Sequence, residues 1–69
     1  LERRRQNTAL EYFLASLKIH PDNPEAMFYA GRLYQDAGDT QNANAMFDKV
    51  VGEHGDSEYA QRARNARGY

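Results

Sequence analysis

The sequence contains no cysteine and no apolar run close to the ~20 residues that a membrane-spanning helix needs. Without cysteine the chain cannot form a disulfide or a thiolate metal site, so neither can stabilise a domain of this size. We expect no membrane insertion. Chains without cysteine occur in the cytoplasm and in the bacterial periplasm, so the localisation stays open between these two compartments.

The residue groups that commonly carry out catalysis are also scarce. There is no glycine-rich phosphate-binding loop, and no serine or threonine has a base and an orienting acid at a suggestive spacing. Asp36 with Asp39 and Glu53 with Asp56 are carboxylate pairs, but each member lies at a predicted helix end, where acidic residues are common for structural reasons. We predict that the chain is not an enzyme and has no cofactor.

What the sequence does contain is typical of a small folded domain. Its 69 residues are 41% apolar and 28% charged, which distinguishes it from a disordered chain but allows only a small core. Burial in so small a core barely offsets the entropy lost on ordering the chain. Because the sequence also begins at Leu1 rather than Met, we expect a piece of a longer protein or a partner in an oligomer.

The net charge of −1 conceals an uneven distribution. Three arginines stand near each end of the chain: Arg3, Arg4, Arg5, Arg62, Arg64 and Arg67. Residues 6–61 contain three basic and nine acidic side chains, a net charge of −6. Because an acidic surface does not attract nucleic acid, we expect no nucleic-acid partner. We interpret the first arginine run as a solvated helix end, and a contact with a polyanion is the alternative.

Apolar residues recur at helical spacing in four segments that are separated by helix-stop and helix-start residues. The predicted helices span Glu2 to His20, Pro24 to about Ala37, about Thr40 to Glu53, and about Glu58 to Arg67. Pro21 ends the first helix, and Asn23 is the predicted N-cap of the second. The first helix carries one apolar stripe, made of Leu10, Phe13, Leu14 and Leu17.

A turn at Gly38 and Asp39 joins the second and third helices. Gly38 can adopt the left-handed conformation that closes a helix, and Asp39 can accept hydrogen bonds from the first N–H groups of the next helix. So short a connection places the two helices side by side and antiparallel. Gly31 would destabilise an isolated helix by ~1 kcal/mol, and we predict that it is there to pack closely against Ala43.

The chain matches itself when it is shifted by 34 residues. Identical or similar residues then coincide in the helix, in the turn and in the next helix: Ala9 with Ala43, Phe13 with Phe47, Leu17 with Val51, His20 with His54, Asp22 with Asp56, and Ala26 with Ala60. Equivalent positions in neighbouring helices lie at least about 8–10 Å apart. His20 and His54 are therefore too distant to share one metal ion, and we predict two exposed loop histidines and no metal site.

With Gly31, Tyr34, the Gly38-Asp39 turn, Ala43 and Phe47, the chain resembles the tetratricopeptide repeat family, whose unit is a 34-residue helix–turn–helix. The resemblance implies an all-α fold, a right-handed α-solenoid fragment of about four antiparallel helices. Residues 1–69 would form a single domain, with the second helix of a preceding repeat at 1–23, a full repeat at 24–57 and a capping helix at 58–69. The chain departs from the family pattern at Met27, Ala30, Gly55 and Gln61.

The same resemblance implies a protein–protein interaction scaffold that binds a peptide or protein partner. In this family the first helix of each repeat lines the concave face, which points to a partner-binding set of Glu25, Phe28, Tyr29, Arg32, Gln35 and Asp36. Packing of Phe28 and Tyr29 against the fourth helix is the alternative for these two aromatic residues. Family members that grip a C-terminal carboxylate carry lysine and asparagine where Phe28 and Arg32 stand here, so that clamp is not expected.

Two other functions stay open for the sequence. The first helix has no preceding partner, so its apolar face could pair with another copy of the chain and make a homo-oligomer. The domain would then be a structural or oligomerisation element. It could also be an accessory helical segment of a multidomain enzyme.

Overall fold

A computed structural model of the chain describes the backbone of residues 2–68 and the side chains of residues 8–68. Four helices follow one another: α1 (Glu2–Ile19), α2 (Pro24–Asp36), α3 (Thr40–Glu53) and α4 (Glu58–Arg67). The backbone of residues 2–68 contains no β-strand, and the predicted all-α fold is confirmed. The side chains of Arg3, Arg4 and Arg5, which we interpret as a solvated helix end, lie outside the described residues.

Short polar side chains begin three of the helices. The Asn23 side chain accepts hydrogen bonds from the backbone N–H groups of Glu25 and Ala26, at 3.0 and 3.3 Å. Asp39 has the same role for α3, and Ser57 has it for α4. Because these bonds satisfy N–H groups that a helix leaves free in its first turn, the local sequence decides where each of these helices starts.

Gly38 closes α2 in the left-handed conformation, with a φ of 85°. Its N–H group donates to the carbonyl oxygen of Gln35 at 3.0 Å. The N–H group of Asp39 donates to the carbonyl oxygen of Tyr34 at 2.9 Å. A residue with a Cβ atom would be strained at this φ, which explains the glycine. The chain reverses here, and α3 returns along α2.

Helix α2 lies at the centre of the fold and packs against α1, α3 and α4. Residues from α2, α3 and α4 form the core cluster, which consists of Met27, Phe28, Ala43, Phe47, Val50 and Ala63. Phe47 is the largest of the fully buried side chains. These three helices therefore share one core, and none of them can be removed without exposing it.

Gly31 lies against α3, the helix that contains its predicted neighbour Ala43. A Cβ atom placed on Gly31 would lie 2.6 Å from Cε1 of Phe47 and 3.2 Å from Cβ of Met46, and no atom of Ala43 is among the three nearest. The glycine makes room for a large aromatic ring of that helix. Helical spacing could not reveal this, because either neighbour accounts equally well for a missing side chain.

Helix α1 packs against α2 alone within the described part of the chain. Its predicted stripe is partly buried and consists of Leu10, Phe13, Leu14 and Leu17. On its other side, Tyr12 is 67% exposed and Ile19 is 74% exposed. One side of α1 is thus covered by the domain, and the opposite side presents two large apolar residues to solvent.

Candidate functional site

Helices α2 and α4 lie side by side and are joined by one hydrogen bond near each end. The hydroxyl group of Tyr59 donates to the Glu25 carboxylate at 3.1 Å, in the first turns of both helices. The Gln35 side-chain amide donates to the carbonyl oxygen of Ala66 at 3.0 Å, in the last turns. The two helices therefore run in the same direction.

Between these two bonds the helices leave an open depression, which we call the α2–α4 groove. Its volume is about 520 Å³, which is within the range of ligand-binding clefts. The residues that line it are Phe28, Tyr29, Arg32, Arg62, Asn65 and Ala66. The groove therefore brings together part of the predicted partner-binding set with residues of α4.

Phe28 belongs to the hydrophobic core and contributes only a small part of the groove floor. The residue is 4% exposed, and its ring centroid lies 6.1 Å from that of Phe47 and 6.0 Å from that of Tyr59. The sequence left two placements open for Phe28, and the structure has it packed against the fourth helix. A side chain so deeply buried cannot act as a protruding anchor for a partner.

Tyr29 connects α1 to the groove. Its ring stacks on that of Phe13, with centroids 5.4 Å apart and an interplanar angle of 23°. It also meets the ring of Tyr59 edge to face, with centroids 6.2 Å apart. Aromatic pairs in these geometries add to the energy of simple burial, so the Tyr29 ring links α1 to α4 beneath the groove.

Two arginines on opposite helices border the groove. Arg32 of α2 is exposed and makes no ion pair with any residue among 8–68. Arg62 of α4 lies 3.5 Å from the Glu58 carboxylate, and its guanidinium group lies 5.4 Å from the centroid of the Tyr59 ring. Two sets of cationic hydrogen-bond donors therefore border one apolar floor.

The other members of the predicted set have different positions. The side chains of Glu25 and Gln35 bond to α4 and so hold the groove together. Asp36 is exposed at the end of α2 and does not line the groove. None of these positions tests whether the residue contacts a partner, so the binding role of the set stays a prediction.

Sequence reasoning missed three residues of the groove, all on α4: Arg62, Asn65 and Ala66. The 34-residue self-match contained the signal, since it makes Arg62 equivalent to Phe28 and Ala66 equivalent to Arg32 in the repeat. A groove between equivalent helices is lined from both of them. The positions on α4 could therefore have been read from those on α2.

The hydrogen bond to Glu25 is the main reason why the pKa of Tyr59 is raised above its ordinary value. Desolvation and the negative charge of the same carboxylate add to this effect. A phenol that donates to a carboxylate resists losing its proton, because ionisation would place two negative charges together. Tyr59 therefore keeps the hydroxyl proton that it donates to Glu25 at neutral pH.

The two histidines lie apart from the groove. His20 is exposed, as predicted, but His54 is partly buried, and its Nε2 atom has no hydrogen-bond partner within the described part of the chain. No group of three or more metal-ligating side chains occurs among the described residues. No helix among them is both long enough and apolar enough to cross a membrane.

A family model described as tetratricopeptide repeat matches residues 1–66. Comparisons with curated proteins and with solved structures returned no match. Proteins built from this repeat generally mediate protein–protein interactions. Because the match covers nearly the whole sequence and agrees with the four-helix architecture, the chain belongs to the tetratricopeptide repeat family.

Proposed function

We propose that the chain binds an extended segment of a partner protein in the α2–α4 groove. The observation that supports this is the pair of hydrogen bonds, Tyr59 to Glu25 and Gln35 to Ala66, which hold the helices at both ends and leave the centre open. Because the helices need not move apart, a ligand would meet a groove that is already formed. Preformed sites bind more tightly because less ordering entropy is lost.

The dimensions of the groove suit a short extended peptide. From Glu25 to Gln35 the helix rises about 15 Å, at about 1.5 Å per residue. An extended chain advances about 3.3 Å per residue, so about four or five residues would span this distance. The groove therefore accommodates a linear motif, and it is too short for a large folded surface.

The lining residues favour binding over catalysis. They provide hydrogen-bond donors and apolar surface, but none of the six is a carboxylate, a histidine, a cysteine or a lysine. A general base, a metal ligand or an activated nucleophile would most often come from those residue types. We therefore propose a binding module and not an enzyme.

The experiment is a selection of peptides from a random displayed library on the immobilised chain, followed by NMR titration of the selected peptides. We expect the largest shift changes at residues lining the groove. Asn65→Trp should fill the groove and weaken binding at least about tenfold, because a bulky ring would occupy the volume of the ligand. Gln41→Trp is the matched control, since Gln41 is also an exposed helical residue with an amide side chain but lies on α3.

Equal affinity of the wild type and the Asn65→Trp variant would contradict the proposed site. So would shift changes confined to the exposed side of α1. Both tryptophan variants should keep the helical circular dichroism of the wild type, because each replaces a residue that the core does not bury.

A second candidate function is self-association through α1. Tyr12 and Ile19 are seven residues apart, two helical turns, so they share the side of α1 that faces away from α2. If a second copy covers this side, sedimentation velocity should show a dimer at high concentration that Ile19→Lys dissociates. A monomer at every concentration would rule this candidate out.

A further inference from the structure

We infer that the segment bound in the α2–α4 groove carries one or two acidic side chains at its centre, held between Arg32 and Arg62. This inference rests on the proposed function and specifies the chemistry of the partner. The acidic side chains are those of aspartate or glutamate residues in a peptide, and the residues on both sides of them are neutral. Three features of the groove support it: its charge, the geometry of its donors and the acids at its end.

The charge of the groove is the first reason. Two of its six lining residues are arginines and none is acidic, although the whole chain has a net charge of −1. Arg32 is exposed and forms no ion pair with any residue whose side chain is described. A guanidinium group has five N–H donors and no acceptor, so it matches a carboxylate and repels a cationic side chain.

The position of Arg62 is the second reason. Its guanidinium group is held near the Tyr59 ring, and the hydroxyl group of Tyr59 is itself bonded to Glu25 on α2. The Arg62 side chain remains 50% exposed. Its ion pair with Glu58 is surrounded by water and therefore weak, so several donors remain for a ligand carboxylate. Arg62 thus lies at the groove with donors available to a ligand.

The acids at one end of the groove limit how acidic the ligand can be. Glu25 and Glu58 both lie in the first turns of their helices, at one end of the groove. A long acidic run or a nucleic-acid strand would bring negative charges against these carboxylates. A segment with one or two central acids avoids this repulsion, which is why we assign a short acidic motif and not a polyanion.

The remaining lining residues define the neighbours of the acid. Asn65 is exposed and can donate to or accept from the backbone of an extended peptide. Ala66 and the buried Phe28 offer apolar surface, which suits an aliphatic side chain next to the acid. The expected motif is therefore an acidic residue flanked by a small or medium aliphatic residue.

The test uses three synthetic peptides with acetylated and amidated ends, identical except at two central positions occupied by glutamate, glutamine or lysine, with leucine on both sides. We expect the glutamate peptide to bind about three- to tenfold more tightly than the glutamine peptide at low salt, because each exposed ion pair contributes only weakly. Raising the ionic strength from about 0.05 M to about 1 M should remove most of this preference, because salt screens exposed charges. The lysine peptide should bind most weakly.

Arginine variants identify the groups responsible. Arg32→Gln and Arg62→Gln should each reduce the preference for glutamate over glutamine several-fold. Arg64→Gln is the matched control, since it makes the same charge change on α4 at an exposed residue that does not line the groove. Its preference for glutamate should equal that of the wild type.

The outcomes separate this inference from the proposed function. If peptides selected from the library bind the groove but are neutral or basic, or if the glutamate and glutamine peptides bind equally, the acidic motif is wrong and the binding site stands. If the glutamine peptide made with a free C-terminal carboxylate binds more tightly than the amidated glutamate peptide, the motif is also overturned. If no peptide of any kind binds the groove, the inference and the proposed function both fail.

Discussion

The central helix α2 and the outer helix α1 differ in how much of their apolar surface the domain covers. Five residues of α2 are buried: Ala26, Met27, Phe28, Ala30 and Gly31. None of residues 8–19 of α1 is fully buried, although the helix carries a clear apolar stripe. The difference comes from the number of neighbours, since α2 packs on three described helices and α1 on one. An apolar stripe in the sequence therefore indicates which surface of a helix can be buried. The number of neighbouring helices determines how much of that surface is buried.

Two phenylalanines at equivalent positions of the 34-residue repeat test this comparison, and their substitution should have the largest effect. Phe47→Ala should destabilise the domain by about 3–5 kcal/mol, because the ring is fully buried and leaves a cavity. Phe13→Ala, on the partly buried stripe of α1, should cost about 1–2 kcal/mol. Urea unfolding followed by circular dichroism measures both values.

A domain of this size has a total stability of about 5 kcal/mol, so Phe47→Ala should retain at most about 2 kcal/mol at room temperature. Equal losses of unfolding free energy in the two variants would show that the Phe13 ring of α1 contributes as much to stability as the Phe47 ring of α3. The contrast between the central and the outer helix would then be wrong.

A smaller effect is expected from two glycines in neighbouring helices. Gly31→Ala should gain about 1 kcal/mol of helix propensity but lose about 1–3 kcal/mol to overpacking, because its Cβ atom would lie 2.6 Å from the Phe47 ring. We expect a net loss of about 1 kcal/mol. Gly52→Ala is the control, since it is exposed and the added Cβ would meet no atom within 4 Å beyond its chain neighbours and the backbone of its own helix.

The Gly52→Ala variant should be stabilised by about 0.5–1 kcal/mol, because only the propensity gain applies. Thermal unfolding should therefore shift in opposite directions for the two variants. A stabilised Gly31→Ala variant would mean that the Phe47 ring can move, and that the core between α2 and α3 is loosely packed.

The smallest effect concerns the bond between Tyr59 and Glu25. Glu25→Gln should lower the pKa of Tyr59 toward its ordinary value of about 10, because the charge that opposes ionisation is removed. NMR titration of the Tyr59 ring carbon attached to oxygen measures this change. The stability that the bond contributes should be complete below pH about 10 and lost as the pH rises through the raised pKa.

Asp36→Asn is the control for this titration, since Asp36 is an exposed acid of the same helix and is not among the causes of the shift. If Glu25→Gln leaves the pKa of Tyr59 unchanged, then the hydrogen bond between α2 and α4 does not persist in solution. The groove would then lack the constraint at that end.

The helices and their connections could be predicted because their causes are local. Asn23, Asp39 and Ser57 cap the helices that follow them, and Gly38 takes the one backbone conformation that the turn requires. The 34-residue self-match also depends only on the order of residues along the chain. These features led to the fold and to the family from the sequence alone.

The site was only partly predictable. Arg32 and Tyr29 of the predicted set line the groove, but Phe28 is withdrawn into the core and half of the lining comes from α4. A residue on the edge of an apolar stripe can face either a neighbouring helix or solvent. Helical periodicity cannot distinguish these cases, because it describes one helix at a time.

The sequence by itself determined the four helices, their boundaries and their repeat, because capping, glycine conformation and apolar spacing act within a few residues of one another. Only the tertiary structure decided that Gly31 faces the Phe47 ring, that Phe28 is buried, and that Arg32 and Arg62 border one groove. Those contacts join residues from different helices. Their geometry depends on how whole side chains fill shared space, which no local pattern specifies.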